Sequence, residues 1–225
     1  MYPFYVIGIG MGELTCRAKK ILEQADVIIT PVSQKNTGSR AFDMIQADIS
    51  HAEILELLFP MKADLHETEY LFSGVLTPVI ERLHQGKIVA MITIGDVSVY
   101  STAAYVRRAV AEMGYQTEVI PGIPSFIDGA AKAQISLCEK QESLLMIPAV
   151  TSPDIIINAL NVADNIMIMK AGKALHWLIP MLKEQHLTEK TIMFYNLGMT
   201  DEYIGSPVEK QSYFITLLIR KRGLL

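Results

Sequence analysis

The sequence predicts an α/β protein of two domains, the first with a mainly parallel sheet, the second with a mixed sheet ending in antiparallel strands. Three observations carry this. Short apolar runs such as FYVIGI, KIVAMITIG and KTIMFYNLG alternate with stretches whose apolar residues recur at helical spacing. Gly and Pro punctuate the ends of these runs. Near the end the alternation stops, and EYIGSPVEKQSYFITLLIRK reads as strand, turn and long apolar strand, a hairpin. The 225 residues suffice for one large domain or two of about 100 residues each.

Residues 4–9 read as a buried strand. Residues 14–25 read as a helix with Leu14, Ala18, Ile21, Leu22 and Ala25 on its apolar face. Residues 26–31, DVIITP, are a second strand that Pro31 ends. A helix within NTGSRAFDMIQADI lines up Ala41, Ile45 and Ile49. AEILELLFP is a strand stopped by Pro60, and a long helical region, roughly 64–85, stops at Gly86. Residues 87–95 form the clearest buried strand, 99–113 a helix stopped by Gly114, and QTEVIPG another strand. Strands then fall in SLLMIPA, NIMIMKAG and KTIMFYNLG, with helices over 152–161 and 173–185. The division falls near PGIPS, where Pro121 and Pro124 stiffen the chain around Gly122, giving domains of 1–120 and 121–225. A strand-to-helix loop inside one domain would carry the same residues.

Composition excludes several classes. Half the residues are hydrophobic and a fifth are charged, as a substantial core requires. A net charge of −4 argues against nucleic acid. The apolar runs are too short to span a bilayer, and no leader pattern opens the chain. Cys16 and Cys138 are the only cysteines, so a disulfide framework is not expected and a cytoplasmic location fits. The five histidines show no HExxH spacing and CxxC is absent. His66, Glu67 and Glu69 therefore read as a solvated helix face, and no protein metal site is expected. The twelve methionines read mainly as core filling.

Three loops follow apolar strands. In GIGMGELT the glycines stand at 8, 10 and 12, whereas a dinucleotide fingerprint needs GxGxxG with an acidic residue at the far end of the next strand. Position 13 is not glycine, Asp26 opens the second strand, and Thr30 and Pro31 close it. The fingerprint fails, and with it a nicotinamide oxidoreductase. What remains is a tight turn whose backbone passes close to something. TIGDVSVYST (93–102) offers Gly95, a carboxylate at Asp96 and backbone groups from Val97 to Val99; Asp96 equally suits a helix cap. VIPGIPSF (119–126) completes the set, and without GxSxG its Ser125 is a poor nucleophile. None of the three carries a phosphate-binding Lys.

In this order, GIGMGELT, TIGDVSVYST and VIPGIPSFIDGAAKAQISL resemble the tetrapyrrole (corrin/porphyrin) methylase superfamily. FPM at 59–61, MKAGKALHWLIPML, NLGMTDEYI and YFITLLIRK narrow the resemblance to the precorrin-2 C20-methyltransferases of cobalamin biosynthesis. Three places depart from the family pattern: Met11 stands for a proline in a shortened first loop, GDV replaces GDP at 95–97, and GIPS replaces PGxSS at 122–125.

The resemblance implies two α/β domains, a homodimer, and S-adenosylmethionine in the interdomain cleft, leaving as S-adenosylhomocysteine. Carried over by position, it assigns cofactor contacts to Ile94, Gly95, Asp96, Val99, Pro124, Ser125, Lys170, Ala171, Leu197 and Gly198, mostly through the backbone. The implied substrate is precorrin-2 or its cobalt complex. Methylation of another tetrapyrrole carbon, as in the uroporphyrinogen-III enzymes, and cofactor binding without turnover are the alternatives. Methyl transfer needs alignment of nucleophile, methyl carbon and sulfur, and an acceptor for one proton. Asp96 and Tyr100 are the candidate catalytic residues, with a bound water an alternative acceptor and helix packing an alternative role for Tyr100. Lys35, Arg40 and Lys62 could meet substrate carboxylates, and Met11, Phe59 and Met61 could line an apolar trough.

Overall fold

A computed structural model describes residues 2–32, 38–49, 51–59, 74–148 and 151–224. Lys35, Met61, Lys62 and the group His66, Glu67 and Glu69 lie outside these residues. The chain forms two compact units, Met1–Pro124 and Ser125–Leu225.

The first unit holds β1 (Phe4–Gly8), α1 (Cys16–Gln24), β2 (Val27–Val32), α2 (Arg40–Asp43), β3 (Glu53–Leu58), α3 (Thr77–His84), β4 (Val89–Thr93), α4 (Ala103–Glu112) and β5 (Thr117–Ile120). Its sheet is wholly parallel, in the order β3-β2-β4-β1-β5. Alternate residues of the strands feed two cores. Phe4, Val6, Val27, Ile29, Val89 and Met91 pack with Val79 and Leu83 of α3 and Val106 and Val110 of α4. Ile7, Ile28, Ala90, Ile92 and Ile120 pack with Ala18 and Leu22 of α1 and with Ala41, Ile45 and Ile49. Burial on both faces is why these strands read as unbroken apolar runs. Because β4 enters between β2 and β1, the ends of β4, β1 and β5 lie side by side. Thr93 pairs with Gly8, and Ile7 with Ile120.

Several boundaries differ from the sequence reading. Pro31 does not end β2, which runs on to Val32 opposite Leu58. Residues 26 and 32 offer their carbonyls to the β3 side, so residue 31 faces the other way. There the pairing with β4 has already ended at Ile29, and the missing proline N–H leaves no bond unmade. The Ala41–Ile45–Ile49 face is buried, but the helix breaks at Ile45 (φ −127°, ψ 3°) and resumes as a 3₁₀ turn, Gln46–Asp48. The helix expected from 99 begins at Ala103. Gly86 and Gly114 end their helices with φ +76° and +90°.

The second unit holds α5 (Ser125–Ala133), β6 (Leu144–Pro148), α6 (Pro153–Val162), β7 (Asn165–Met169), a 3₁₀ turn Ala171–Ala174, α7 (Leu175–Glu184), β8 (Thr191–Tyr195), β9 (Tyr203–Gly205) and β10 (Ile215–Arg220). The sheet order is β6-β7-β10-β8-β9, parallel only between β6 and β7. The expected final hairpin is absent. β9 pairs with β8, and β10 inserts between β7 and β8, antiparallel to both. The burial pattern explains it: all six residues of β10 are buried, so it needs neighbours on both edges, while three-residue β9 is half-buried and takes the rim. Residues 206–214 supply the length for this connection.

One face of this sheet packs Ile166, Ile168, Met193, Leu217 and Ile219 against Ile156 of α6 and Leu178 and Leu182 of α7. On the other face Phe194 meets Gly129 of α5, where an added Cβ would lie 2.7 Å from the ring. Helix α5 begins directly after Pro124, so PGIPS is both the boundary of the compact units and a strand-to-helix connection.

Gly129→Ala is therefore expected to destabilise the protein by about 1–3 kcal/mol through overpacking. Phe194→Leu, by opening the space, should recover part of that loss in the double variant. Urea unfolding of the single and double variants measures both; strict additivity would show that the two positions do not meet.

Candidate functional site

The loops after β1, β4 and β5 close on one another through backbone. Gly10 and Gly95 exchange both of their peptide hydrogen bonds, at 3.1 and 2.8 Å, as an isolated antiparallel bridge. A Cβ on Gly8 would lie 2.6 Å from the Gly122 nitrogen and from the Gly95 carbonyl oxygen. One on Gly122 would lie 2.1 Å from that same oxygen. Only glycine fits where three chains come this close. The turn also needs positive φ at Gly10 (+58°), Gly12 (+101°) and Gly95 (+73°). The glycines that resemble a nucleotide fingerprint thus serve contact between backbones.

Asp96 fastens the cluster. Its Oδ2 accepts the Gly122 N–H at 2.9 Å, and its Oδ1 accepts the Ser98 N–H at 2.8 Å and the Ser98 hydroxyl. The residue is buried. It caps no helix, because α4 starts seven residues later; it closes an Asx turn and ties the β4 loop to the β5 loop. Tyr100, a candidate catalytic residue, does not take the alternative role of helix packing. It lies outside α4, in the left-handed region (φ +47°), with 43 % of its surface exposed. Thr93 and Ser101, on either side of this turn in sequence, share a hydroxyl hydrogen bond of 3.0 Å.

Of the other first-unit positions, Ile94, Val99 and Pro124 are half-buried and Gly95 is buried. A Cβ on Gly95 would be 4.0 Å from Pro124 Cα. Met11 is 8 % exposed, and Phe59 packs on the core under α3 and α4, so both serve packing. Arg40 is exposed at the start of α2.

In the second unit, residues directly after two strands are left-handed: Lys170 (φ +56°) after β7 and Asn196 (φ +46°) after β8. Ala171 and Leu197 behind them are buried, and Gly198 is exposed with φ +73°. Lys170 Nζ lies 5.3 Å from the centre of the Tyr213 ring. The Gly198 N–H donates to Glu202 Oε2 at 2.6 Å, and Lys132 donates to the same oxygen at 2.7 Å. Ser125 opens α5. Sequence reasoning missed Asn196, Asp201 and Glu202. The Asn196 amide, with the Tyr195 hydroxyl, holds the Asp201 carboxyl below its ordinary range. Burial pushes Tyr195 up, and Asp201 adds to it. Burial would raise Glu202, but Lys132 and the Gly198 N–H outweigh it and its pKa is lowered. The signal was an Asn placed between an apolar strand and Leu-Gly, with acidic residues five and six positions on.

Among the described residues no group of three or more His, Cys, Asp or Glu could hold a metal ion, and no helix is long and apolar enough to cross a membrane.

The family model for Tetrapyrrole (Corrin/Porphyrin) Methylases matches residues 3–210. The chain belongs to this family. Two relatives refine the similarity. A probable cobalt-precorrin-2 C(20)-methyltransferase of Methanocaldococcus jannaschii is 34% identical over 93% of this chain and 83% of its own. The cobalt-precorrin-2 C(20)-methyltransferase of Salmonella typhimurium is 26% identical over 97% of this chain and 96% of its own. The tetrapyrrole-methylase fold is shared with a crystal structure of uroporphyrin-III C-methyl transferase from Thermus thermophilus complexed with S-adenosylhomocysteine. That match has a TM-score of 0.67 and 14% identity, and covers 96% of this chain and 97% of the other.

Two outcomes are expected of this methylase. Asp96→Ala removes the acceptor of the Gly122 N–H and should cost about 1–3 kcal/mol while the protein stays folded. Gly122→Ala, which sets a Cβ against backbone, should cost more; equal stability of both to the parent in urea would contradict the clamp. The second concerns acid. Asp201 and Glu202 have lowered folded-state pKa values, so their stabilisation is present above the unfolded carboxylate pKa of about 4 and lost as pH falls through the folded values. The urea midpoint should fall between pH 6 and pH 3 (both about), and less steeply in Asp201→Asn.

Proposed function

We propose that this chain transfers a methyl group from S-adenosylmethionine to C20 of cobalt-precorrin-2 in cobalamin biosynthesis. The observation that carries the reading is the similarity over nearly the whole chain to relatives that bear this activity in their names. Both names specify the cobalt complex, which favours the cobalt-bearing substrate over the metal-free one. The cobalt is part of the substrate.

The loops fit the cofactor chemically. S-adenosylmethionine carries no phosphate, and neither GIGMGELT, TIGDVSVYST nor VIPGIPSF contains a Lys or Arg. Their glycines instead allow close approach of backbone. The proposed contacts are Ile94, Gly95, Asp96, Val99 and Pro124 in the first unit and Ser125, Lys170, Ala171, Leu197 and Gly198 in the second. The Gly198 N–H is engaged by Glu202, so that residue would contribute by its shape or its carbonyl.

When bound, the cofactor supplies an already activated methyl group on a sulfonium. The residues holding it would have to keep the acceptor carbon in line with that methyl group and the departing thioether, and leave a path for the one proton that C20 loses. The protein's part is alignment, worth several kcal/mol of barrier (about 7–11 at the limit). With both carboxylate oxygens engaged, Asp96 acts by holding the β4 and β5 loops in register. The proton then passes to a bound water or through the Tyr100 phenol, which accepts it only as it hands its own onward. A cytoplasmic homodimer completes the reading; two exposed free cysteines suit a reducing compartment.

The test is a single-turnover mass assay under anaerobic conditions with S-adenosylmethionine and either precorrin-2 or its cobalt complex. Gain of one methyl group, placed at C20 by NMR and faster on the cobalt complex, is expected. No transfer to either substrate by protein that binds S-adenosylhomocysteine would overturn the reading. Asp96→Ala should weaken cofactor binding in the folded protein, measured by calorimetry.

A further inference from the structure

The left-handed residue after β8 is held more tightly than a turn requires. Asn196 is 7 % exposed, and each of its polar groups is engaged. Its N–H donates to the Phe214 carbonyl at 2.9 Å, and its carbonyl accepts the Met199 N–H at 3.0 Å. Its Nδ2 donates to Asp201 Oδ2 at 2.8 Å, and its Oδ1 accepts the Ser212 hydroxyl at 2.5 Å. The partners are fixed in turn. Asp201 also accepts from Tyr195, at 3.1 Å. Ser212 Oγ accepts the Phe214 N–H at 3.0 Å, and a Cβ on Gly172 would sit 2.0 Å from the Ser212 carbonyl oxygen. Segment 212–214 therefore braces the loop after β8 and touches the loop after β7.

Asparagine suits this position for two separate reasons. It tolerates positive φ better than other side chains with a Cβ. Its amide also carries a donor and an acceptor side by side, which the carboxylate of Asp201 and the hydroxyl of Ser212 require. An aspartate would set two carboxylates together, and a glycine would keep the turn but withdraw the amide from both partners. Leu197 and Gly198 follow at once, so their backbone direction is set by how Asn196 is held.

We infer that Asn196 is a positioning residue for the cofactor. Through Asp201 on one side and Ser212 on the other, it holds Leu197 and Gly198 in the conformation that receives S-adenosylmethionine, and it touches neither the methyl group nor the acceptor. The inference rests on the proposed role of Leu197 and Gly198 in cofactor binding.

The test compares Asn196→Gly, Asn196→Ala and Ser212→Ala in the full chain. S-adenosylhomocysteine affinity is read by calorimetry, and KM and kcat with S-adenosylmethionine by methyl transfer. Asn196→Gly keeps the backbone allowed and removes only the side chain. It should weaken binding and raise KM about tenfold, with kcat at saturating cofactor within about twofold. Asn196→Ala adds backbone strain and should bind more weakly still. Ser212→Ala removes one brace and should show a smaller shift of the same kind, which keeps the test alive should a position-196 variant not fold. Unchanged affinity in Asn196→Gly with loss in Asn196→Ala would overturn the inference, since the backbone alone would then account for the residue. A fall in kcat at unchanged KM would overturn it as well. Wild-type protein that binds no S-adenosylhomocysteine would overturn the functional reading and this inference together, whereas tight wild-type binding with unaltered variants would sink the inference alone.

Discussion

The first unit depends on one close approach, of the backbones at Gly8, Gly95 and Gly122, with Asp96 tied across it. Three strand ends meet there because β4 threads between β2 and β1 and so sets β4, β1 and β5 side by side. At such a switch point in a parallel sheet the loops point into a common space, and ligands collect there. Side chains would force the loops apart, as the 2.1 Å gap above Gly122 shows. The glycines therefore follow from the sheet order as much as from any ligand. A buried carboxylate accepting from two loops is a stronger fastening than a neutral hydrogen bond.

The second unit solves a similar problem with other residues. Directly after β7 and β8 its chain turns on Lys170 and Asn196, both in the left-handed region where a Cβ is a burden. The loops are secured by side chains: Asn196 to Asp201 and Ser212, Glu202 to the Gly198 N–H and Lys132. Where the first unit brings three loop backbones together on glycines, the second does so at Gly172 beside Ser212 and secures its turns after β7 and β8 chiefly with side-chain amides and carboxylates. That difference explains why the first set of loops is recognisable as a glycine pattern and the second is not.

A phosphate-binding loop and a backbone-clamping loop share glycine spacing because both require positive φ and no Cβ. They are told apart by what surrounds them. Here none of the three first-unit loops holds a Lys, and Asp26 directly precedes β2, at the end opposite the loops. The proposed cofactor, a nucleoside joined to a sulfonium, calls for no phosphate cradle. Geometry alone does not specify the acceptor; the proposed one rests on the likeness to cobalt-precorrin-2 C(20)-methyltransferases.

By itself, the sequence determined the class of fold, most of the strands and the three loops of the first unit, because local periodicity and Gly or Pro punctuation are written in neighbouring residues. It also determined the family, through an ordered set of motifs along the chain. Tertiary structure alone decided what depends on distant partners. Pro31 is tolerated because the pairing of β2 with β4 has already ended at Ile29. β10 lies between β7 and β8, and not beside β9, because its six buried residues need two neighbours. Asp96 is a tie and not a cap because Gly122, 26 positions away, brings it an N–H. Asn196 is braced because Ser212 returns to it, a contact that no local pattern in residues 197–211 announces. Such roles are set by proximity in space, and proximity is decided by sheet order, which no local pattern encodes.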